Sequence, residues 1–308
     1  MASKVLGERV RVWRPAALPG VEVMRVEGSY RLWRWYHETY ALCTVYAGSG
    51  EVHYRQGVHS VRPGDTLLME PGEVHADRRV DGPAAFRVLF VAPEALARFR
   101  EDGTDVPLHL RRAHTHDRTL FRVLTSLHSA LERGATALEA ECRLALALHE
   151  LLRRFAEPGS RSTAYDAAAA PLLRARDLLH ASPGQPVSLD ELAAAAGLSK
   201  FHLLRAFAKR FGLPPHTYHT QLRIATARSL LANGVPISRA ALESGFADQS
   251  HLTRQFVRIV GVTPGAYVRD TRAASAWDDA AGELLADPHG SLAACELHEE
   301  CEELIAAS

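Results

Sequence analysis

The 308-residue sequence contains no apolar run near the ~20 residues that span a bilayer. Its first residues, Met1-Ala2-Ser3-Lys4-Val5, lack the long apolar stretch of a secretory signal. Cysteine is sparse. Cys43, Cys142, Cys295 and Cys301 are scattered, which argues against a disulfide framework and for reduced thiols. These absences predict a cytoplasmic chain with no membrane partner. Net charge is lacking too, with 36 Lys and Arg against 36 Asp and Glu. That zero conceals an asymmetry. Residues 273–308 hold nine acidic residues and no Lys or Arg, while residues 188–272 hold 11 Lys and Arg against 5 Asp and Glu. A basic segment suits a polyanion, whose phosphates give non-specific affinity.

The chain also contains a repeat. Gly197-Leu198-Ser199-Lys200-Phe201-His202-Leu203-Leu204-Arg205-Ala206-Phe207 matches Gly245-Phe246-Ala247-Asp248-Gln249-Ser250-His251-Leu252-Thr253-Arg254-Gln255-Phe256. His-Leu-x-Arg-x-Phe recurs 49 positions later, and Gly212, Pro215 and Tyr218 have their counterparts in Gly261, Pro264 and Tyr267. A duplicated helix-turn-helix unit explains this pattern. Ser188 and Glu191 form a capping box before the first unit, Gly197 supplies its turn and Ser199 caps the next helix. Leu203 and Phe207 face the core, leaving Lys200, Phe201, Leu204, Arg205, Ala208 and Lys209 on the other face. In the second unit Leu252, Phe256 and Val260 turn inward, and Gln249, Ser250, Thr253, Arg254 and Arg258 turn out. Arg can bridge guanine O6/N7 and Gln can pair with adenine. Either helix alone would pass as a solvated polar face; the duplication and the basic balance favour double-stranded DNA as the partner. Between the units a helix ending at Asn233-Gly234 fixes their separation.

Residues 188–269 resemble the AraC/XylS family of bacterial transcription regulators. The motifs that carry the resemblance are Leu198-Ser199-x-x-His202-Leu203-x-Arg205-x-Phe207, Gly245-Phe246-x-Asp248-Gln249-Ser250-His251-Leu252-x-Arg254-x-Phe256 and Gly261-Val262-Thr263-Pro264-x-x-Tyr267. The resemblance implies two helix-turn-helix units, each inserting one helix into the major groove. It marks Phe201, Leu204 and Arg205, then Gln249, Ser250, His251, Thr253 and Arg254, as base-facing. Leu204 departs from the polar residue often found there, so the first helix is expected to read sequence more weakly. Related regulators also imply RNA polymerase as a partner.

Residues 1–92 carry short apolar runs separated by Gly and Pro turns, which predict a β-sandwich or barrel. The stretch Arg62-Pro63-Gly64-Asp65-Thr66-Leu67-Leu68-Met69-Glu70-Pro71-Gly72-Glu73-Val74-His75 resembles the cupin-type barrel that serves many such regulators as an effector domain. The cupin resemblance also raises a metalloenzyme, a dioxygenase or isomerase with an appended helical domain. Catalytic cupins use a His-x-His pair, a Glu and a further His, but Trp35 stands two residues before His37. We therefore expect no catalytic residue, metal or cofactor, and an organic effector in a pocket lined by Trp35, His37, Tyr46, His53, His75 and Arg87. A DNA-repair protein carrying the same DNA-binding module is a third reading; neither Cys43 nor Cys142 has the context of a reactive thiol.

Residues 93–156 read as two helices broken at Gly134, with leucine stripes at 120, 124, 127 and 131 and at 144, 148, 151 and 152. The stripes would either bury a partner in a homodimer or cover the chain's own barrel; the dimer is the expectation. Residues 157–170 have linker composition and 171–272 form the DNA-binding domain. In the tail at 273–308, Cys295-x-x-His298-x-x-Cys301 is either a metal motif or part of an acidic amphipathic helix, which is favoured. The expected architecture is α+β and multidomain: a cupin-like β-barrel, a helical dimerisation segment and an all-α pair of helix-turn-helix units.

Overall fold

The computed structural model describes residues 7–55, 57–99, 108–157 and 170–271. The first half contains strands β1 (Arg9–Trp13), β2 (Val21–Ser29), β3 (Arg34–Trp35), β4 (Tyr40–Tyr54), β5 (Gly57–Val61), β6 (Thr66–Met69) and β7 (His75–Val91). A short helix α1 (Pro93–Ala97) and strands β8 (His109–Leu110) and β9 (His114–Thr115) lead to helices α2 (Arg118–Arg133) and α3 (Ala137–Phe155). Strand β10 (Ala156–Glu157) then returns to pair with β8.

β4 and β7 are the spine of the sheet. They pair antiparallel from Tyr40 opposite Val91 to His53 opposite Ala76, with register shifts at Val45/Ala47, Ala47/Ser49 and Glu51/Val52. Bulges of this kind bend a ladder and increase its twist. One half of the bent pair carries β2, β1, β6 and β9, and the other carries β3 and β5. The expected barrel does not close: the ladder ends at β1 and at the two-residue β9. It is an open, bent, cupin-like sheet.

Side chains alternate across the sheet with a period of two. Val21, Val23, Tyr40, Leu42, Leu89 and Val91 face α2 and α3. Met24, Val26, Ala41, Cys43, Val88 and Phe90 face the hollow of the sheet and the C-terminal helices. With both faces covered, the strands read as apolar runs rather than as alternations. The leucine stripes share this first core. Leu120, Leu124, Leu127, Leu148 and Leu151 are fully buried, and Leu131 and Leu152 pack beside them. The helix pair therefore covers its own sheet, and the stripes expected to form a dimer contact are not exposed to a partner. Local signals set the bounds: Asp117 caps α2, Gly134 ends it at a φ of 77°, and Thr136 caps α3.

The second half is helical: α4 (Ala170–Ala181), α5 (Leu189–Ala196), α6 (Lys200–Phe211), α7 (Pro215–Ala232), α8 (Ile237–Glu243) and α9 (Gln249–Val260), followed by helical residues 264–271. The Ser188–Glu191 capping box and the Ser199 cap form as the sequence predicts, and Asp248 caps α9 by accepting from the His251 N–H at 2.7 Å. Leu203 and Phe207 pack with Leu192, Tyr218 and Leu222 in one core, while Leu252 and Phe256 pack with Ile224, Leu231 and Phe246 in another. The two units also abut directly. A Cβ on Gly245 would lie 2.3 Å from the Gly184 carbonyl oxygen, and one on Gly184 would lie 2.6 Å from that of Glu243. Most of the expected linker, residues 158–169, and the acidic tail with its Cys295, His298 and Cys301 lie outside the described residues.

Leu127→Ala should lower unfolding stability by ~2–5 kcal/mol in a denaturant titration, the range for emptying a leucine site in a packed core. Its oligomeric state in sedimentation should match that of the native chain.

Candidate functional site

The two expected reading helices, α6 and α9, both turn an open face to solvent. On α6, Lys200, Phe201, His202, Leu204, Arg205 and Lys209 are exposed; Phe201 is 70% accessible, large for an aromatic ring. The Arg205 guanidinium lies 5.5 Å from the centre of the Phe201 ring, so cation and ring form one unit. On α9, Gln249, Ser250, Arg254 and Arg258 are exposed, while His251 and Thr253 are half-buried. Two of these have internal partners. The Thr253 hydroxyl donates to the Gln249 carbonyl at 2.8 Å, and the His251 ring packs edge-on against Phe246 at 5.2 Å. Lys200 pairs with Asp190 at 2.7 Å on the surface. Among the described residues, the Arg254 side chain has no hydrogen bond or ion pair.

The sheet docks on the helices that carry these faces. α7 lies between the two helical cores and the sheet, with Tyr218 and Leu222 in one core and Ile224, Ala227 and Leu231 in the other. The segment from Arg31 to Trp35 grips the C-terminal end of α9. The Trp35 indole N–H donates to the Ile259 carbonyl at 2.9 Å, and Arg31 donates to the Val257 carbonyl at 3.3 Å. The last carbonyls of a helix tend to lack an intrahelical partner and favour a nearby cation; the sheet caps that of Ile259, while that of Val257 accepts from the Gly261 N–H at 3.1 Å as well as from Arg31. Trp33 closes over Gly261, where a Cβ would sit 2.6 Å from its ring. Toward the first unit, His180 joins Tyr36 at 3.3 Å, Tyr218 at 2.8 Å and Glu38 at 3.2 Å.

A buried carboxylate anchors this dock. Glu22 on β2 is 5% exposed and accepts from Arg14 at 2.9 Å and from the Tyr267 hydroxyl at 2.7 Å; its other oxygen pairs with Arg228 of α7. Glu22, Arg228 and Gln221 were not singled out by sequence, and Tyr267 was read only as a position of the repeat. The one available signal was a carboxylate within the apolar stretch Val21–Val26.

Two cavities open beside this network. The larger, about 270 Å³, lies between the sheet and helices α7 and α9; its polar wall includes Arg14, Glu22, His37, Glu38, Gln221 and Arg228. The smaller, about 70 Å³, lies in the hollow of the sheet. Trp35 lines both. His37 lines the first and His75 the second, with their rings 5.1 Å apart. Burial pushes the His37 pKa down to about 4 and His75 well below the usual imidazole value, so both rings are neutral at pH 7. The structure thus brings together Trp35, His37 and His75 of the six expected pocket residues. It does not bring in the other three. Tyr46 and Arg87 lie against α2, where the Tyr46 hydroxyl meets Thr125 at 2.9 Å and Arg87 pairs with Glu132 at 3.0 Å. His53 is exposed. Tyr46 and Arg87 follow plain alternation, since Cys43 and Val45 on β4 and Phe86 and Val88 on β7 take the hollow side, whereas His53 lies beyond the β4 bulges, after which Val52 and Tyr54 face inward instead. Among the described residues no three His, Cys, Asp or Glu side chains converge as metal ligands. Cys43 is buried, which pushes its thiol pKa up, opposite to the shift of a reactive cysteine.

Comparison with known proteins agrees with this geometry. The model of the AraC-like ligand binding domain matches residues 21–152, and a helix-turn-helix domain model matches residues 192–270, together more than half of the chain. An HTH-type transcriptional regulator of Bacillus subtilis, YbfI, is 29% identical over 223 residues, 70% of this chain and 80% of that one. The chain belongs to the AraC/XylS family. A putative AraC-like transcription regulator of Streptomyces antibioticus is 30% identical over 54% of this chain; the chain spans 57% of that relative's length. The fold resembles that of an apo ToxT variant from Vibrio cholerae, with a TM-score of 0.50 over 81% of this chain and 97% of that one at 14% identity. Family membership makes this protein a ligand-responsive, DNA-binding transcription regulator.

In this regulator Arg254→Ala should cost ~1–3 kcal/mol of specific binding and relax preference at one base position. Lys209→Ala should instead weaken binding to all sequences alike and flatten the salt dependence. Affinities for a bound site and its single-base variants, across a salt series, separate the two.

Proposed function

We propose that this regulator reads a promoter site with α6 and α9 and is switched by a small molecule in the cavity between its sheet and α7. The observation that carries the proposal is the shared wall of that cavity. Residues of the sheet and of the DNA-binding helices both line it, so an occupant touches both at once. The reading side chains are Lys200, Phe201, Leu204, Arg205 and Lys209 on α6, and Gln249, Ser250, His251, Thr253, Arg254 and Arg258 on α9. Arg205, with Phe201 beneath it, and Arg254 occupy equivalent positions of the repeat and present cations to base edges or phosphates. The effector contacts are Trp35 and His37, with His75 behind them; Arg14, Gln221 and Arg228 complete the polar wall.

The switch follows from the capping of α9. Trp35 is a cavity wall and also the donor to the Ile259 carbonyl. A ligand that moves the indole changes the bonding at the C-terminal end of a reading helix. It can shift the populations of DNA-competent and incompetent arrangements only by its difference in affinity for the two. A second copy of the chain and RNA polymerase are the partners we expect at a promoter. Both would have to use surfaces other than the buried leucine stripes.

Random genomic fragments captured by the full-length protein should be enriched in one sequence containing two separated blocks. Fragments no richer in any sequence than the input would reject the reading. Trp35→Phe keeps a ring in the wall but removes the N–H, leaving a carbonyl unsatisfied at a cost of ~1–3 kcal/mol. Amide hydrogen exchange at the end of α9 should accelerate in this variant, and exchange in α2 should not change.

A further inference from the structure

Among the described residues of the cavity wall, Thr39 Oγ1, Arg228 Nε and His37 Nε2 are buried without a hydrogen-bond partner, and the chemistry of the last can be fixed. His37 Nδ1 lies 2.7 Å from the Thr39 carbonyl oxygen. A carbonyl only accepts, so Nδ1 carries the hydrogen. The ring is neutral, which leaves a bare lone pair on Nε2. Nε2 is buried with no hydrogen-bond partner in the protein, although His37 is only 5% exposed and lines the cavity. The neighbouring His75 ring does not supply one, since both of its nitrogens are also unpartnered. The wall therefore presents an acceptor that needs a donor.

The charges around it cancel. Arg14 and Arg228 are opposed by Glu22 and Glu38. Glu22 is occupied by three donors, and Glu38 pairs with His180. A carboxylate would set its own lone pairs against that of His37, and Arg228, although its Nε has no partner, already has its charge paired with Glu22. A cationic ligand would meet two guanidinium groups and a carboxylate already filled. The remaining wall is apolar and partly aromatic: Val12, Met24, Trp35, Phe90, Ile224 and Ile259. A cavity of about 150 Å³ holds benzene, so about 270 Å³ holds one ring with a short substituent.

We propose that the effector is a neutral hydroxyl-bearing aromatic molecule, phenol-like in its chemistry, whose hydroxyl donates to Nε2 of His37. This rests on the reading of the interdomain cavity as the effector site. It adds a requirement which that reading lacks: a neutral donor is preferred over either ion.

The test uses the full-length chain and three probes that share one skeleton: 4-propylphenol, 4-propylbenzoate and 4-propylbenzylamine, titrated calorimetrically at pH 7. The phenol should bind at least tenfold more tightly than the benzoate or the amine. His37→Phe, which keeps a ring but removes the acceptor, should lose that preference. His37→Gln, which restores an acceptor oxygen, should recover part of it. Benzoate or amine binding equal to or tighter than phenol would overturn the proposal, as would no binding of phenol or phenol binding unchanged in His37→Phe. If His37→Phe does not fold, the three head groups on the native chain decide alone. DNA capture by the same preparation without probe distinguishes the outcomes: loss of sequence-selective capture rejects the regulator mechanism, whereas a wrong head-group order with capture intact rejects only the phenol-like effector.

Discussion

Glu22 is a carboxylate taken out of water, and the arrangement of the two halves depends on how it is satisfied. Left alone, a buried carboxylate costs several kcal/mol. Here Arg14 comes from its own half, Arg228 from α7 and Tyr267 from the final helical residues. Two of its three donors therefore belong to the DNA-binding domain, and separating the halves would strand the charge. Domains within a chain usually move against each other. In this protein such motion must first re-solvate Glu22, release Ile259 from Trp35 and lift Trp33 from Gly261. The sensing and reading halves form one mechanical body along α7, with a hollow left beside its central ion pair.

This arrangement explains the position of the cavity. The polar groups that fix the dock cannot also be close-packed like the apolar core around them. They converge from β1, β2, the turn after β3, and α7, and the space left between them is lined by both domains. A molecule entering there meets groups whose bonds already bridge the halves, so small adjustments of Trp35 or Arg228 are felt at α9 without a separate relay.

The sequence made some of this legible and hid the rest for physical reasons. The repeat was readable because a helix-turn-helix needs particular residues at fixed offsets: the Ser199 and Asp248 caps, Gly197 and Gly245 at positive φ, Leu203 and Leu252 inside. Trp35, His37 and His75 were readable as pocket residues because the cupin resemblance marks the positions around the turn-strand-turn motif as facing the barrel interior. The destination of the leucine stripes was not readable, since helical spacing is the same whether a stripe meets a partner or its own sheet. Tyr46 and Arg87 were misplaced although the alternation holds there, because sequence does not say which face of a strand covered on both sides lines the hollow; His53 was misplaced because the β4 bulges change the parity before it. The Glu22 cluster was not readable as a cluster because its members lie far apart in sequence: Arg14 and Arg228 each look like an ordinary surface charge, and Tyr267 like a core residue of the repeat.

The contact between Gly184 and Gly245 has a consequence for the DNA rather than for the protein. Backbone meets backbone there, with no room for a methyl group, and α7 spans the same two units from the other side. The reading helices are thus held at one distance and one phase. Along B-DNA each added base pair advances the groove by about 3.4 Å and turns it by about a tenth of a revolution. A site with one base pair too many offers its second block about 3.4 Å farther along and about a tenth of a turn out of phase, and only bent or untwisted DNA can bring it back. Flexible sequence between the blocks thereby becomes part of what this protein recognises, although no side chain need touch it.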